Sequence, residues 1–133
     1  VRVKTFIAAA SDINPDATGR PSPLVVRIFE MRNDAEFSGA DFFALYEREK
    51  ETLGSSLVVR QEYVLQPGEK REVWLPVARD ARYLGAVAAV RDIRGARWRM
   101  LTSAPRKTFG DNFSRDTISI TASRGGITLG VKD

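Results

Sequence analysis

Apolar side chains fall on alternate positions at the start of the chain: Val1, Val3, Thr5, Ile7 and Ala9 on one parity, Arg2, Lys4, Phe6 and Ala8 on the other. A period near two predicts strand 1 over residues 1–10. The alternation stops at Ser11. From there to Pro23 the chain is polar and holds three prolines and Gly19, which predicts an exposed, stiffened loop with a turn at Asn14-Pro15-Asp16. Beyond it, Leu24 to Arg32 is apolar on both parities apart from Arg27 and Glu30, the pattern of an interior strand covered on two sides.

The period then changes. Phe42, Leu45, Tyr46 and Leu53 recur at helical spacing, Glu47 to Glu51 supplies a charged face, and Gly54 ends the run, so a short amphipathic helix is predicted within an insertion over about 34–54. Asn33 or Ser38 can cap it, and Ser38 with Asp41 resembles a capping box. Leu57, Val59, Tyr63 and Leu65 restore alternation up to Gln66-Pro67-Gly68-Glu69, and Val73, Leu75 and Val77 resume it, which predicts a hairpin of strands 3 and 4.

Arg82 to Arg91 mixes Tyr83, Leu84, Val87 and Val90 with small residues including Gly85, predicting an interior strand 5 that another layer approaches closely. Arg97 to Leu101 is strand 6 and Thr102 to Arg115 a long polar connection. Ile118 to Ala122 and Ile127 to Val131 alternate on either side of Gly125-Gly126, two strands joined by a tight turn. About eight short strands with one helical insertion predict an all-β, two-layer sandwich, formed by residues 1–133 as one domain.

Composition narrows the chemistry more than the fold. Cysteine and histidine are both absent from the 133 residues, which excludes disulfides, thiolate nucleophiles and Cys-based zinc sites, and removes the commonest general base. Serine and threonine hydroxyls have no histidine to activate them, so no enzyme activity and no catalytic residues are expected. A net charge of +4 suits an acidic partner or an anionic surface. No apolar run approaches the roughly 20 residues that span a bilayer.

Three clusters invite functional readings. Asp12, Asn14 and Asp16 match the first ligands of a calcium loop, but Ala17 stands where that loop needs glycine and Pro23 where it needs glutamate, so an Asx-Pro turn is preferred and no metal is expected. Arg91, Arg94, Arg97 and Arg99 surround Trp98, an arrangement that can hold phosphates and stack a base. On a strand Arg97 and Arg99 share one face and Trp98 takes the other, so a core indole with solvated guanidiniums is preferred to nucleic-acid binding. Glu47, Glu49 and Glu51 lie among Arg48 and Lys50, and read as a solvated salt-bridged face.

One series of segments carries a resemblance across nearly the whole chain. Asn14-Pro15-Asp16, the run Gly19-Arg20-Pro21-Ser22-Pro23 into Leu24-Val25-Val26-Arg27-Ile28-Phe29-Glu30-Met31, and Asp41-Phe42-Phe43-Ala44-Leu45-Tyr46 are followed by Gln66-Pro67-Gly68-Glu69, Val73-Trp74-Leu75-Pro76, Arg82 to Asp92 and Trp98-Arg99. In this order they resemble the TssJ (SciN, VasD) lipoproteins of type VI secretion. That resemblance implies a transthyretin-like sandwich, anchored to the outer membrane by a lipidated cysteine that this chain does not carry, and facing the periplasm. It also implies a non-enzymatic assembly module without cofactors, holding the periplasmic C-terminal region of TssM, which works with TssL. The contact implied is the loop between strands 1 and 2, here Ile13, Asn14, Asp16, Thr18, Gly19, Arg20, Pro21 and Ser22. A transthyretin-like sandwich binding a small ligand or carbohydrate, between its sheets or through Trp98 and its arginines, is the alternative.

Overall fold

The computed structural model of the chain describes residues 1–105 and 113–132. The opening alternation forms β1 (Arg2–Ala9), and the two-sided apolar run forms β2 (Leu24–Met31). After the insertion come β3 (Leu57–Leu65), β4 (Lys70–Pro76), β5 (Tyr83–Ala88), β6 (Arg99–Ser103), β7 (Phe113–Ser123) and β8 (Gly126–Lys132). They make two four-stranded sheets, ordered β4-β1-β7-β8 and β3-β2-β5-β6. The expected eight-stranded sandwich is therefore what forms, with β2 and β5 both interior.

The predicted hairpin does not form. Leu57–Leu65 pairs with β2 in one sheet, whereas Lys70–Pro76 pairs with β1 in the other. The intervening turn is local, with Gly68 at φ +78° and the Glu69 amide donating to Gln66 O at 3.1 Å. Its outer side bonds elsewhere: the Ala9 amide donates to Glu69 O at 2.8 Å and the Gly68 amide to Ala10 O at 3.2 Å. Once β1 takes the donors and acceptors after the turn, β4 cannot also complete a ladder with β3.

The sheets bury Val3, Ile7, Leu24, Val26, Ile28 and Leu75, with Leu84, Ile118 and Ile127 among the other side chains of a continuous aliphatic core. At one edge the two sheets are stitched directly: the Arg97 amide donates to Gly125 O at 2.8 Å, and the Ile127 amide to Arg97 O at 2.9 Å. Gly126 makes that approach possible, because a Cβ there would lie 2.1 Å from the Arg97 oxygen.

In place of one helix the insertion contains α1 (Ala35–Gly39), α2 (Phe42–Glu47) and α3 (Glu49–Leu53), followed by a 3-10 turn at Gly54–Ser56. Ala40 is extended and Arg48 leaves helical dihedrals at φ −132°, which divides the run. Asp41, rather than Asn33 or Ser38, caps α2, accepting from the Ala44 amide at 2.8 Å. Phe37, Leu45 and Leu53 pack with Phe29, Met31 and Val87 on the outer face of the β3-β2-β5-β6 sheet. Gly85 admits this layer, since a Cβ there would lie 2.7 Å from the Phe37 ring.

Two arginines tie the insertion down. Arg27 stacks its guanidinium 3.9 Å from the centre of the Tyr46 ring and donates to Tyr46 O at 2.5 Å. Arg99 donates to Phe37 O at 3.1 Å and Ala40 O at 2.5 Å, satisfying carbonyls at the end of α1. The expectation of a solvated Arg99 guanidinium is thus corrected. Trp98 is half-buried and edge-on to Phe42 at 5.3 Å. Glu49 is also corrected: its partners are Arg27 and Arg60 from the sheet, and only 14% of its side chain is exposed.

Candidate functional site

The loop between β1 and β2 protrudes from one end of the sandwich, and its base is built into the fold. Ile13 is fully buried in the inter-sheet core, and Asn14 is 8% exposed. Asn14 takes φ +45°, a left-handed conformation that asparagine tolerates better than most residues. Its side chain closes the loop, with Nδ2 donating to Pro23 O at 3.0 Å and Oδ1 accepting from the Arg91 amide at 2.8 Å. The Ser22 amide donates to Ile13 O at 3.1 Å, while the Ser22 hydroxyl donates to Asn14 O and accepts from Arg91 Nε.

Above this base the loop braces itself. The Asp16 amide donates to Arg20 O at 2.8 Å, and the Gly19 amide, at φ +83°, returns to Asp16 O at 2.9 Å. One Asp16 oxygen accepts from the Thr18 hydroxyl at 2.7 Å, the Thr18 amide at 2.9 Å and the Arg20 amide at 3.0 Å. The Thr18 hydroxyl bond is the main cause holding the Asp16 carboxyl below its ordinary range, with the Arg20 amide next and the Arg91 charge contributing. Ala17, Thr18, Gly19, Arg20 and Pro21 remain exposed.

Of the residues expected to make the contact, the structure gathers Asp16, Thr18, Gly19, Arg20 and Pro21 in the protruding part and Asn14 and Ser22 at its base, and puts Ile13 inside the core. The calcium-like trio does not converge. Asn14 and Asp16 are occupied as described, and Asp12 Oδ1 accepts from the Arg124 amide at 3.3 Å.

Two segments distant in sequence share this end. The β5–β6 connection brings Asp92, whose Oδ1 accepts from the Arg94 and Gly95 amides, and the β7–β8 turn brings Arg124 and Gly125. With Asn14 and Pro15 they line an open cleft of about 410 Å³. Nothing in the linear pattern links Arg124 or Asp92 to the loop, but one signal for the anchor was present: Ile13 is the single large apolar residue between Ser11 and Pro23. Between the sheets the packed aliphatic core occupies the place a carried ligand would need. Trp98 and Arg99 serve the insertion as struts.

A family profile described as type VI secretion lipoprotein, VasD, EvfM, TssJ matches residues 1–125. Among solved structures, the type VI lipoprotein TssJ1 from Pseudomonas aeruginosa is 34% identical, with a TM-score of 0.88 over 100% of this chain and 97% of that one. Lip from Serratia marcescens, titled a membrane-bound component of the type VI secretion system, is 30% identical with a TM-score of 0.82, covering 97% and 96%. A chain in a structure titled "T6SS protein TssM C-terminal domain (869-1107) from EAEC" is 26% identical with a TM-score of 0.75, covering 96% and 99%. No curated protein sequence matches the chain.

Proposed function

This chain belongs to the type VI secretion lipoprotein family, and on that premise we propose that it is a non-catalytic assembly module that holds the periplasmic C-terminal region of TssM with the loop between β1 and β2. The observation that carries this reading is the division of labour within the loop. Ile13, Asn14 and Ser22 fix its base to the core and to Arg91, while Asp16 braces an exposed tip of Thr18, Gly19, Arg20 and Pro21. A loop ordered before the partner arrives loses less conformational freedom on binding.

Further support comes from similarity to chains in structures titled for a type VI membrane complex and for the TssM C-terminal domain. In this reading the domain faces the periplasm, tethered to the outer membrane by a lipid on a cysteine preceding this sequence, and meets TssL within the larger complex. No cofactor, metal or nucleic acid has a role in it.

The test replaces residues 15–21 with a Gly-Ser linker, leaving Ile13, Asn14 and Ser22 in place. Binding to the TssM C-terminal region is expected to disappear while the melting temperature stays close to wild type. Undiminished affinity would overturn the assignment.

A further inference from the structure

We infer that the outer face of the β4-β1-β7-β8 sheet lies against an anionic phospholipid surface. The two sheets of the sandwich are finished differently on their outer sides. The β3-β2-β5-β6 sheet is covered by the helical insertion, and its arginines Arg27 and Arg60 are matched by Glu49 and Glu62. No described element covers the other sheet.

The register shows what that bare face presents. Lys132, Thr117, Lys4 and Trp74 form one row across the four strands, and Gly130, Ser119, Phe6 and Glu72 form the next. Between their ends, β7 and β8 present the small side chains of Thr117, Ser119, Thr121, Thr128 and Gly130 on this face. On β1 and β4, Phe6 and Trp74 stand diagonally adjacent and are 43% and 45% exposed. Burial is normal for such side chains, and two exposed neighbours on a strand pair point to a surface that is covered in use.

Charge selects the covering. Among the described residues, the exposed basic side chains of this face include Arg2, Lys70 and Lys132, with Lys4 half-exposed beside them, and the carboxylate of Glu72 is paired with Lys4 at 3.4 Å. Lys4 also lies 5.5 Å from the centre of the Trp74 ring. A basic face with an indole and a phenyl ring along its β4–β1 side matches a layer of phosphate headgroups over acyl chains: ammonium and guanidinium groups meet phosphates, and aromatic rings settle at the boundary. Membership of a lipoprotein family brings a bilayer close to this domain, and a weak second attachment strengthens a single lipid anchor by raising local concentration.

The experiment uses this chain without any lipid, mixed with vesicles of phosphatidylglycerol in phosphatidylethanolamine or of phosphatidylcholine alone. A Trp98→Phe background leaves Trp74 as the sole indole. Co-sedimentation with the phosphatidylglycerol vesicles is expected, falling with salt and accompanied by a blue shift of Trp74 emission. Arg2→Glu with Lys132→Glu should weaken it by about tenfold or more, and Phe6→Ser should reduce both binding and the shift. Arg94→Glu with Arg124→Glu, at the loop end, should change it far less. Equal retention on phosphatidylcholine, full binding by the Arg2→Glu and Lys132→Glu pair, or retention without an emission change would overturn the inference. Each variant's melting temperature separates loss of binding from loss of fold.

Discussion

The amide of Arg91 donates to Asn14 Oδ1 at 2.8 Å across 77 residues of sequence. This bond fixes the β1–β2 loop to the connection between β5 and β6, so the shape of the exposed tip depends on a residue that never enters it. The Asn14 amide nitrogen completes the closure on Pro23. Asn14→Ala removes both bonds and leaves alanine at φ +45°, a combination expected to cost about 2 kcal/mol. Urea denaturation would measure it; a midpoint within error of wild type would show that the closure contributes nothing. On the proposed function, TssM affinity should fall further than global stability, because the tip loses its support.

Gly85 faces the Phe37 ring and the Met31 methyl at distances that leave no room for a side chain. Gly85→Val should lift the helical insertion from the sheet and lower stability by about 1–3 kcal/mol. Trp98 reports on the same layer through its contact with Phe42, so its fluorescence should shift to longer wavelength in the folded variant. Unaltered emission and melting temperature would mean that the insertion has slack at this point.

Arg27 joins the insertion to the sheet by a ring stack, a carbonyl bond and ion pairs to Glu49 and Glu62. Arg27→Met keeps much of the stem volume and strands a mostly buried Glu49 beside Arg60. The expected loss is about 1–3 kcal/mol. Adding Glu49→Gln should recover part of it, since the less well matched charge is gone. Strict additivity of the two changes in a denaturation cycle would refute the coupling.

Glu30 carries the pH dependence. It is fully buried on β2, Oε1 accepts from the Ala78 amide at 2.7 Å, and Oε2 has no hydrogen-bond partner among the described residues. Burial is the chief cause raising its carboxyl above the ordinary value of 4.5, and the Ala78 amide pulls the other way. The native state therefore holds this proton more tightly than the unfolded chain. The resulting stability is fully present below 4.5 and is lost as pH rises through the folded value. Glu30→Gln keeps an acceptor for Ala78 and should flatten stability against pH across that window, while being at least as stable at neutral pH. A slope identical to wild type would assign the effect to other groups.

Much of this architecture was legible because strand burial writes itself into parity. The two-sided apolar runs at Leu24–Met31 and Tyr83–Ala88 marked interior strands, and the glycine in the second marked the close approach of another layer, which the structure shows to be the insertion. Sheet membership was not legible for β3 and β4, because a good turn at Pro67-Gly68 is compatible with a hairpin and with a crossing between layers. The choice is made by β1, which lies far away in sequence. Arg99 and Glu49 were misread for a related reason: each points to a partner on another element, and local spacing suggests only solvent. In the loop the polar, proline-rich tip was evident. Its internal bracing at Asp16 and its tie to Arg91 belong to three-dimensional proximity.

β1 lies between β4 and β7, and its parallel partner begins more than a hundred positions later, with Thr5 opposite Ile118. The first strand of this sandwich therefore waits for one of its last before both its edges are closed. This layer is completed only by pairing across most of the sequence, a slow route to the native sheet because its contacts are long-range.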